Sequence, residues 1–402
     1  MAALEAANVK EGVEELKENY VSKSKDFMCE LVAPVIAQMD AAIGLSQPLE
    51  SLDLTGSSKD LFNSRIQFMQ LFALSEALAE YHIIAAIDLS FNFIDDNGAG
   101  SLASFLQRNK SLKYLNLAGN NIGPEGAGKL AEAIQMRDSS GEGGLQVLNL
   151  NGNAIKDEGV LSIAGALRDN KSLKVLELGS TDMEEKGLIG IAVAMWENRT
   201  LEVINLENPL IHYRCQGDTA MQLGRMLGNN TCLREVLLGK HGLVDDQLQT
   251  LVDYGLGRNR TLPICTLDLR CNKLSPVAGP AFKQLLQFTS TLQMLNVSFN
   301  RLGDDGLMAL AEALPRCHTL VHLDIRSNGS GELGLCAMAH AMQLKPNLTT
   351  ILVWGNHFGP AACVAFLETL ERAEQEQSQI VIDIEPYIVD GITQVAKVDI
   401  YE

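Results

Sequence analysis

A short alternation of apolar and polar positions returns along this chain at a nearly fixed interval. The stretches LKYLNLAGN (112–120), LQVLNLNGN (145–153) and LQMLNVSFN (292–300) share the form L-x-x-L-x-L-x-x-N. The same form starts at Leu49, Ile84, Leu112, Leu145, Leu173, Leu201, Leu233, Ile264, Leu292, Leu320 and Leu348. Six of the ten successive intervals are 28 residues, which marks one structural unit repeated in tandem. The longer intervals read as loop insertions, among them the Gly/Ser run RDSSGEGG at 137–144.

Period-two alternation in x-L-x-L-x predicts a short strand with both leucines turned inward. A second register follows each strand. In IGPEGAGKLAEAI (122–134), IKDEGVLSIAGAL (155–167) and LGDDGLMALAEAL (302–314), Leu, Ile and Ala recur at three- and four-residue spacing, the mark of one buried helix face. Neither element can bury its apolar side alone, so neighbouring repeats must stack into a continuous core. The expected fold is an α/β solenoid, a horseshoe of about eleven repeats of period near 28, with a parallel concave sheet and convex helices.

The asparagine that closes the pattern (Asn92, Asn120, Asn153, Asn272, Asn300, Asn328 and Asn356) is expected to satisfy backbone groups where the chain leaves each strand. Ser57, Thr181, Pro209 and His241 replace it elsewhere, so the turn ladder is expected to be irregular there. Residues 1–48 read as a helical cap, 49–384 as the solenoid including a last strand IVIDI (380–384), and 385–402 as a hairpin or tail turning at Asp390-Gly391.

Charge narrows the partners. With 50 Asp and Glu against 32 Lys and Arg, the net charge of -18 repels phosphate, so neither nucleic acid nor an anionic membrane is expected as partner. The amino terminus is acidic and lacks an apolar h-region, and no run of 18 apolar residues follows, so a soluble cytoplasmic chain is expected. The eight cysteines contain no CxxC pair and are expected to be reduced and mostly buried.

Chemical motifs dissolve into the repeat. GPEGAGKL (123–130) matches a phosphate loop up to Leu130, where magnesium binding needs Ser or Thr. Cys317, His318 and His322 straddle a loop and a strand start with no evident fourth ligand. Neither HExxH nor GxSxG occurs. No catalytic residue, metal or cofactor is therefore expected, and the chain reads as a non-enzyme. N-x-S/T sequons such as Asn109, Asn170 and Asn198 sit just before strands and read as turn chemistry.

Binding is expected where the strand turns a side chain outward between its two leucines. That position is filled by Asp53, Asp88, Asn116, Asn149, Glu177, Asn205, Leu237, Asp268, Asn296, Asp324 and Leu352, and it contains no base. One step along lie Arg270, Arg326 and Trp354, with Phe91 and Phe299 beside them. The expected partner is a protein with a basic segment received along Asp88 to Asp324, while Trp354 and Phe299 anchor one end.

Residues 49–384 resemble the ribonuclease-inhibitor-type leucine-rich repeats. The irregular stretches VINLENPLIHYRCQGDTAMQLGRMLGNNTCL (203–233), LGKHGL (238–243), ILVWGNHFGPAACVAF (351–366) and DIEPYIVDG (383–391) further resemble the leucine-rich repeat-containing protein 34 family. That resemblance implies a non-catalytic scaffold of the ciliary or flagellar axoneme, in a large assembly around radial spokes. The alternative is an enzyme regulator, either a GTPase-activating protein of the Ran type or a ribonuclease inhibitor. The Ran-type reading lacks the expected long acidic C-terminal block, and the inhibitor reading lacks that family's many cysteines.

Overall fold

The L-x-L centre of every repeat forms a three-residue strand, and one helix follows each. The computed structural model describes residues 2–139, 143–257, 259, 261–344, 347–377 and 379–400. By internal contacts the chain divides into two units, residues 1–204 and 205–402.

The first unit opens with helices α1 (Ala2–Asp26) and α2 (Ala33–Leu45). Ser46 ends α2 in the left-handed conformation. Strand and helix then alternate: β1 (Ser51–Asp53), α3 (Phe68–Leu78), β2 (Ala86–Asp88), α4 (Asp96–Arg108), β3 (Tyr114–Asn116), α5 (Pro124–Ser139), β4 (Val147–Asn149), α6 (Lys156–Asp169), β5 (Val175–Glu177) and α7 (Glu185–Ala194). β1 to β5 pair in parallel and in chain order, with Asp53, Asp88, Asn116, Asn149 and Glu177 in one register row. Beneath that row Leu52, Ile87, Leu115, Leu148 and Leu176 form a buried spine. Each buried leucine contributes about 2 kcal/mol. β6 (Val203–Asn205) lies across the boundary between the units.

The second unit continues with α8 (Gln216–Asn229), β7 (Glu235–Leu237), α9 (Asp245–Leu251), β8 (Thr266–Asp268), α10 (Gly279–Phe288), β9 (Met294–Asn296), α11 (Gly303–Ala313), β10 (His322–Asp324), α12 (Glu332–Gln343), β11 (Thr350–Leu352), α13 (Pro360–Gln375) and β12 (Val381–Ile382). β7 to β12 again pair in parallel and in order. β13 (Ile384–Val389) and β14 (Ile392–Lys397) form an antiparallel hairpin. Asp390 and Gly391 both have positive φ at its turn, the geometry an Asp-Gly pair favours.

What ties one repeat to the next is the buried amide of the turn asparagine. Asn153 is fully buried; its Nδ2 donates to Leu117 O at 2.8 Å in the preceding repeat and to Leu150 O at 3.0 Å in its own. Its Oδ1 accepts from Ile122 N at 3.1 Å. Asn92, Asn120, Asn272, Asn300 and Asn328 repeat the arrangement. At Thr181 and His241 the ladder is irregular but part of it survives: Thr181 Oγ1 donates to Leu178 O within its own repeat, and His241 Nε2 donates to Leu206 O at 2.7 Å in the preceding one, as an asparagine Nδ2 would.

A second ladder explains the sequons. Asn109 is buried at the end of α4, donating to Leu78 O and Tyr81 O and accepting from Ser111 N and Leu112 N. Asn198 and Asn259 act alike, so N-x-S/T is the repeat's helix-to-strand turn.

Helix starts are also capped across repeats. Asp96 Oδ1 accepts from Gly123 N at 2.7 Å and Gly126 N at 2.9 Å, so a carboxylate occupies the amides that a phosphate would need in GPEGAGKL. A Cβ on Gly126 would stand 2.6 Å from that oxygen. Asp157 and Asp304 cap the starts of α7 and α12 the same way.

Two expectations change. Only Cys317 and Cys363 are buried; the other six thiols are partly exposed, because Cys336 lies on α12 away from its buried face and the rest sit at turns and element ends. In RDSSGEGG, residues 137–139 prolong α5, 143–144 are loop, and 140–142 lie outside the described residues. Arg137 holds the helix end there, its buried guanidinium donating to Lys110 O and Leu112 O.

Two predictions follow from these turns. Asn153→Ala strands three backbone groups and should lower the unfolding free energy by about 3 kcal/mol in urea titration; a loss under about 1 kcal/mol would contradict the bridging role. Burial pushes the His241 imidazole down to about 4 from its ordinary 6.5, against the opposing bond to Leu206 O. The folded state therefore stays neutral while the unfolded chain binds a proton, so stability falls as pH drops from about 6.5 toward about 4. His241→Asn should remove that component, leaving wild type losing roughly 2 kcal/mol more than the variant between about pH 7 and about pH 4.5.

Candidate interaction surfaces

Asp and Asn dominate the outward strand position for a local reason. Each ends its strand, and its side-chain oxygen accepts from the backbone N–H two residues on: Asp53 from Thr55, Asp88 from Ser90, Asn116 from Ala118, Asn149 from Asn151, Asn205 from Glu207, Asp268 from Arg270, Asn296 from Ser298 and Asp324 from Arg326. This Asx turn needs the oxygen and not the charge. Where Leu352 fills the position, Asp383 takes over, accepting from Val353 N and Trp354 N. The acidic carboxylates are thus more than the scaffold requires, and their surroundings differ between the units.

In the first unit the row stays open. Asp53 is exposed, and Asp88 is half-buried with neutral donors: Ser90 N, Ser90 Oγ and Asn116 Nδ2 at 2.7 Å. Glu177 accepts from Asn151 Nδ2 at 3.0 Å. Tyr114, first residue of β3, shares their face because it stands two residues before Asn116. Burial raises its phenol above the usual range, and the charges of Asp88, Glu177 and Asp53 act on it in the same direction. The L-x-L pattern alone passed over Tyr114; period two, extended one step earlier, finds it.

In the second unit the acids carry their own cations. Arg326 grips Asp324 bidentately, Nε to Oδ1 at 3.0 Å and Nη2 to Oδ2 at 2.7 Å, and Asp324 is only 2% exposed. Arg270 reaches Glu207 at 2.8 Å and Asp268 at 3.7 Å. Burial pushes the Asp268 carboxyl above the ordinary range while the Arg270 backbone and charge pull it down. Asn296 donates to Asp268. Asp268 and Asp324 are buried beside these arginines, Asn205 and Leu352 are buried as well, and the expectation that this part of the row is displayed to a partner is corrected. Phe299 is half-exposed, whereas Trp354 lines a cavity of about 500 Å³ with Phe358, Pro360 and residues 392–395 of the hairpin.

Phe91 and Phe299 occupy the turn position before the closing asparagine, with φ of 58° and 56°. Gly119, Gly152 and Gly355 fill it in other repeats, so a bulky aromatic there is strained as well as exposed. Cys317 is buried beside Thr319, and His322 begins β10 half-buried. Among the described residues no three His, Cys, Asp or Glu side chains converge as metal ligands, and no helix is long and apolar enough to cross a membrane.

Comparison with known proteins agrees with this architecture. The family model described as Leucine Rich repeat matches residues 108–131, 145–164 and 290–311. Leucine-rich repeat-containing protein 34 of Homo sapiens is 28% identical over 225 residues, covering 48% of this chain and 41% of that protein. The Rattus norvegicus protein of that name is 31% identical over 216 residues, covering 46% and 44%. The chain thus spans less than half the length of these curated relatives. Among solved structures, actin-binding site 2 of leiomodin-1 aligns with a TM-score of 0.32 at 18% identity, over 40% of this chain and 90% of that one. Stacked repeats of this kind are interaction scaffolds. Three segments of the chain thus match the leucine-rich repeat, and over about half its length the chain is similar to leucine-rich repeat-containing protein 34.

Proposed function

We propose that this chain is a non-catalytic protein-interaction scaffold, and that the strand face of its first unit receives a basic segment of its partner. The supporting observation is the contrast between the two rows. Asp53 and Asp88 bond only to neutral donors among the described residues, while Asp268 and Asp324 lie against arginines of their own unit. A rigid strand row presents Asp53, Asp88, Asn116, Asn149 and Glu177 around Tyr114 with little entropy left to lose on docking. An incoming Lys or Arg gains carboxylates that the turns do not need as charges.

The finer reading, a structural component of the ciliary or flagellar axoneme associated with radial spokes, rests on the resemblance to leucine-rich repeat-containing protein 34. It makes the partner a large cytoskeletal assembly.

The experiment compares what co-purifies from ciliated cells with wild type and with the Asp53→Asn, Asp88→Asn, Glu177→Gln variant, by quantitative mass spectrometry. The amides preserve the acceptor of each Asx turn, so the variant should fold, with the urea midpoint lowered only by the lost bond from Asn116 Nδ2 to Asp88. Wild type should recover axonemal proteins, and the variant should lose them about tenfold, the effect of a few surface charges at roughly 0.5 kcal/mol each. Equal recovery by both would exclude the first-unit face, and recovery of a small GTPase or a nuclease would replace the scaffold reading with a regulator.

A further inference from the structure

The first repeat departs from the period in a way the scaffold does not require. Leu49 and Ile84 are 35 residues apart, and the excess falls in the turn SSKDLFNSR (57–65) between β1 and α3. Regular repeats pass from strand to helix without it, as at Ala118–Ile122 before α5. Leu61 anchors the insertion in the core at 1% exposure, while its neighbour Phe62 is 61% exposed. The Arg65 guanidinium carbon lies over two rings, 5.7 Å from the centroid of Phe62 and 5.1 Å from that of Phe93, itself 48% exposed. The Arg65 Nε is buried without a hydrogen-bond partner, and no carboxylate pairs with this guanidinium among the described residues.

We propose that Phe62, Arg65 and Phe93 form a docking site for a partner-protein segment in which a carboxylate lies beside an apolar side chain. Both rings hold the cation through their own π-faces, and the guanidinium N–H groups, with no carboxylate partner among the described residues, remain for a ligand. A planar carboxylate matches the two terminal guanidinium nitrogens with parallel bonds, while the buried Nε stays out of its reach. The apolar neighbour covers the exposed ring surface, which the fold itself leaves in water. A nucleic-acid backbone is a poor fit, because one arginine on a chain of net charge -18 does not neutralise a run of phosphates. This site takes a partner of opposite charge to the one proposed for the strand face, so either can fail without the other.

The test uses the full chain against an immobilised array of short peptides pairing Asp or Glu with Leu, Ile or Phe, each beside its Asn or Gln counterpart. Wild type should bind acid peptides about tenfold more strongly than their amide counterparts. Phe62→Ala and Arg65→Lys should each abolish that preference with unchanged urea midpoints, the lysine keeping the charge but losing the planar fork. The Asp53→Asn, Asp88→Asn pair should leave it intact. Absence of any acid-dependent binding, or acid-dependent binding that survives both Phe62→Ala and Arg65→Lys, overturns the proposal.

Discussion

The buried amide of the turn asparagine is the interaction on which the repeats depend. A three-residue strand exhausts its ladder bonds almost at once, and the chain then turns through the interior where water cannot satisfy it. One asparagine side chain closes that account from both directions: Asn120 takes Ile94 N and gives to Leu89 O in the preceding repeat and to Leu117 O in its own. The stack is thereby held by polar groups as specific as its leucine spine is generic. His241 and Thr181 show that the geometry, and not the residue name, is what the position demands, since each still reaches a backbone carbonyl at the turn.

Once the turns are satisfied, the remaining polar groups can be divided into those the scaffold needs and those it does not. The Asx-turn oxygen of Asp88 is needed; its charge is not, as Asn116 and Asn149 demonstrate by performing the same turn. The inter-repeat caps of Asp96, Asp157 and Asp304 each engage one carboxylate oxygen at a helix start. Arg270 and Arg326 neutralise the second unit's acids. What is left over in the first unit, the charges of Asp53 and Asp88 on one face and the Phe62, Arg65 and Phe93 cluster on an insertion, is where partner chemistry has room to act.

The period of the leucines made the solenoid legible, because strand and helix each bury a face at a spacing visible in the chain. Asp390-Gly391 announced the hairpin for an equally local reason. Other features depend on which way a side chain turns, or on a neighbour some 28 residues away, and leave no local mark. Nothing around Asp324 in sequence reports that Arg326 folds back over it and buries it, and nothing near Arg65 reports that Phe93 comes to lie beside it. The row of acids was readable, while the split between open and neutralised acids was not, since pairing is a property of side-chain direction. Tyr114 was within reach, as the same alternation that exposes Asn116 exposes it.

Native-state hydrogen exchange tests the central claim most directly. The backbone amides of Ile66, Ile94, Ile122, Leu243, Leu274 and Leu302 lie in turns outside any strand or helix, yet each donates to the Oδ1 of an asparagine one repeat further on. If those side chains join the repeats, these amides exchange as slowly as the core amides of the adjacent helices, opening only with the repeat itself. Exchange at the rate of exposed loops would show that the turns open independently, and that the stack is held by its leucines alone.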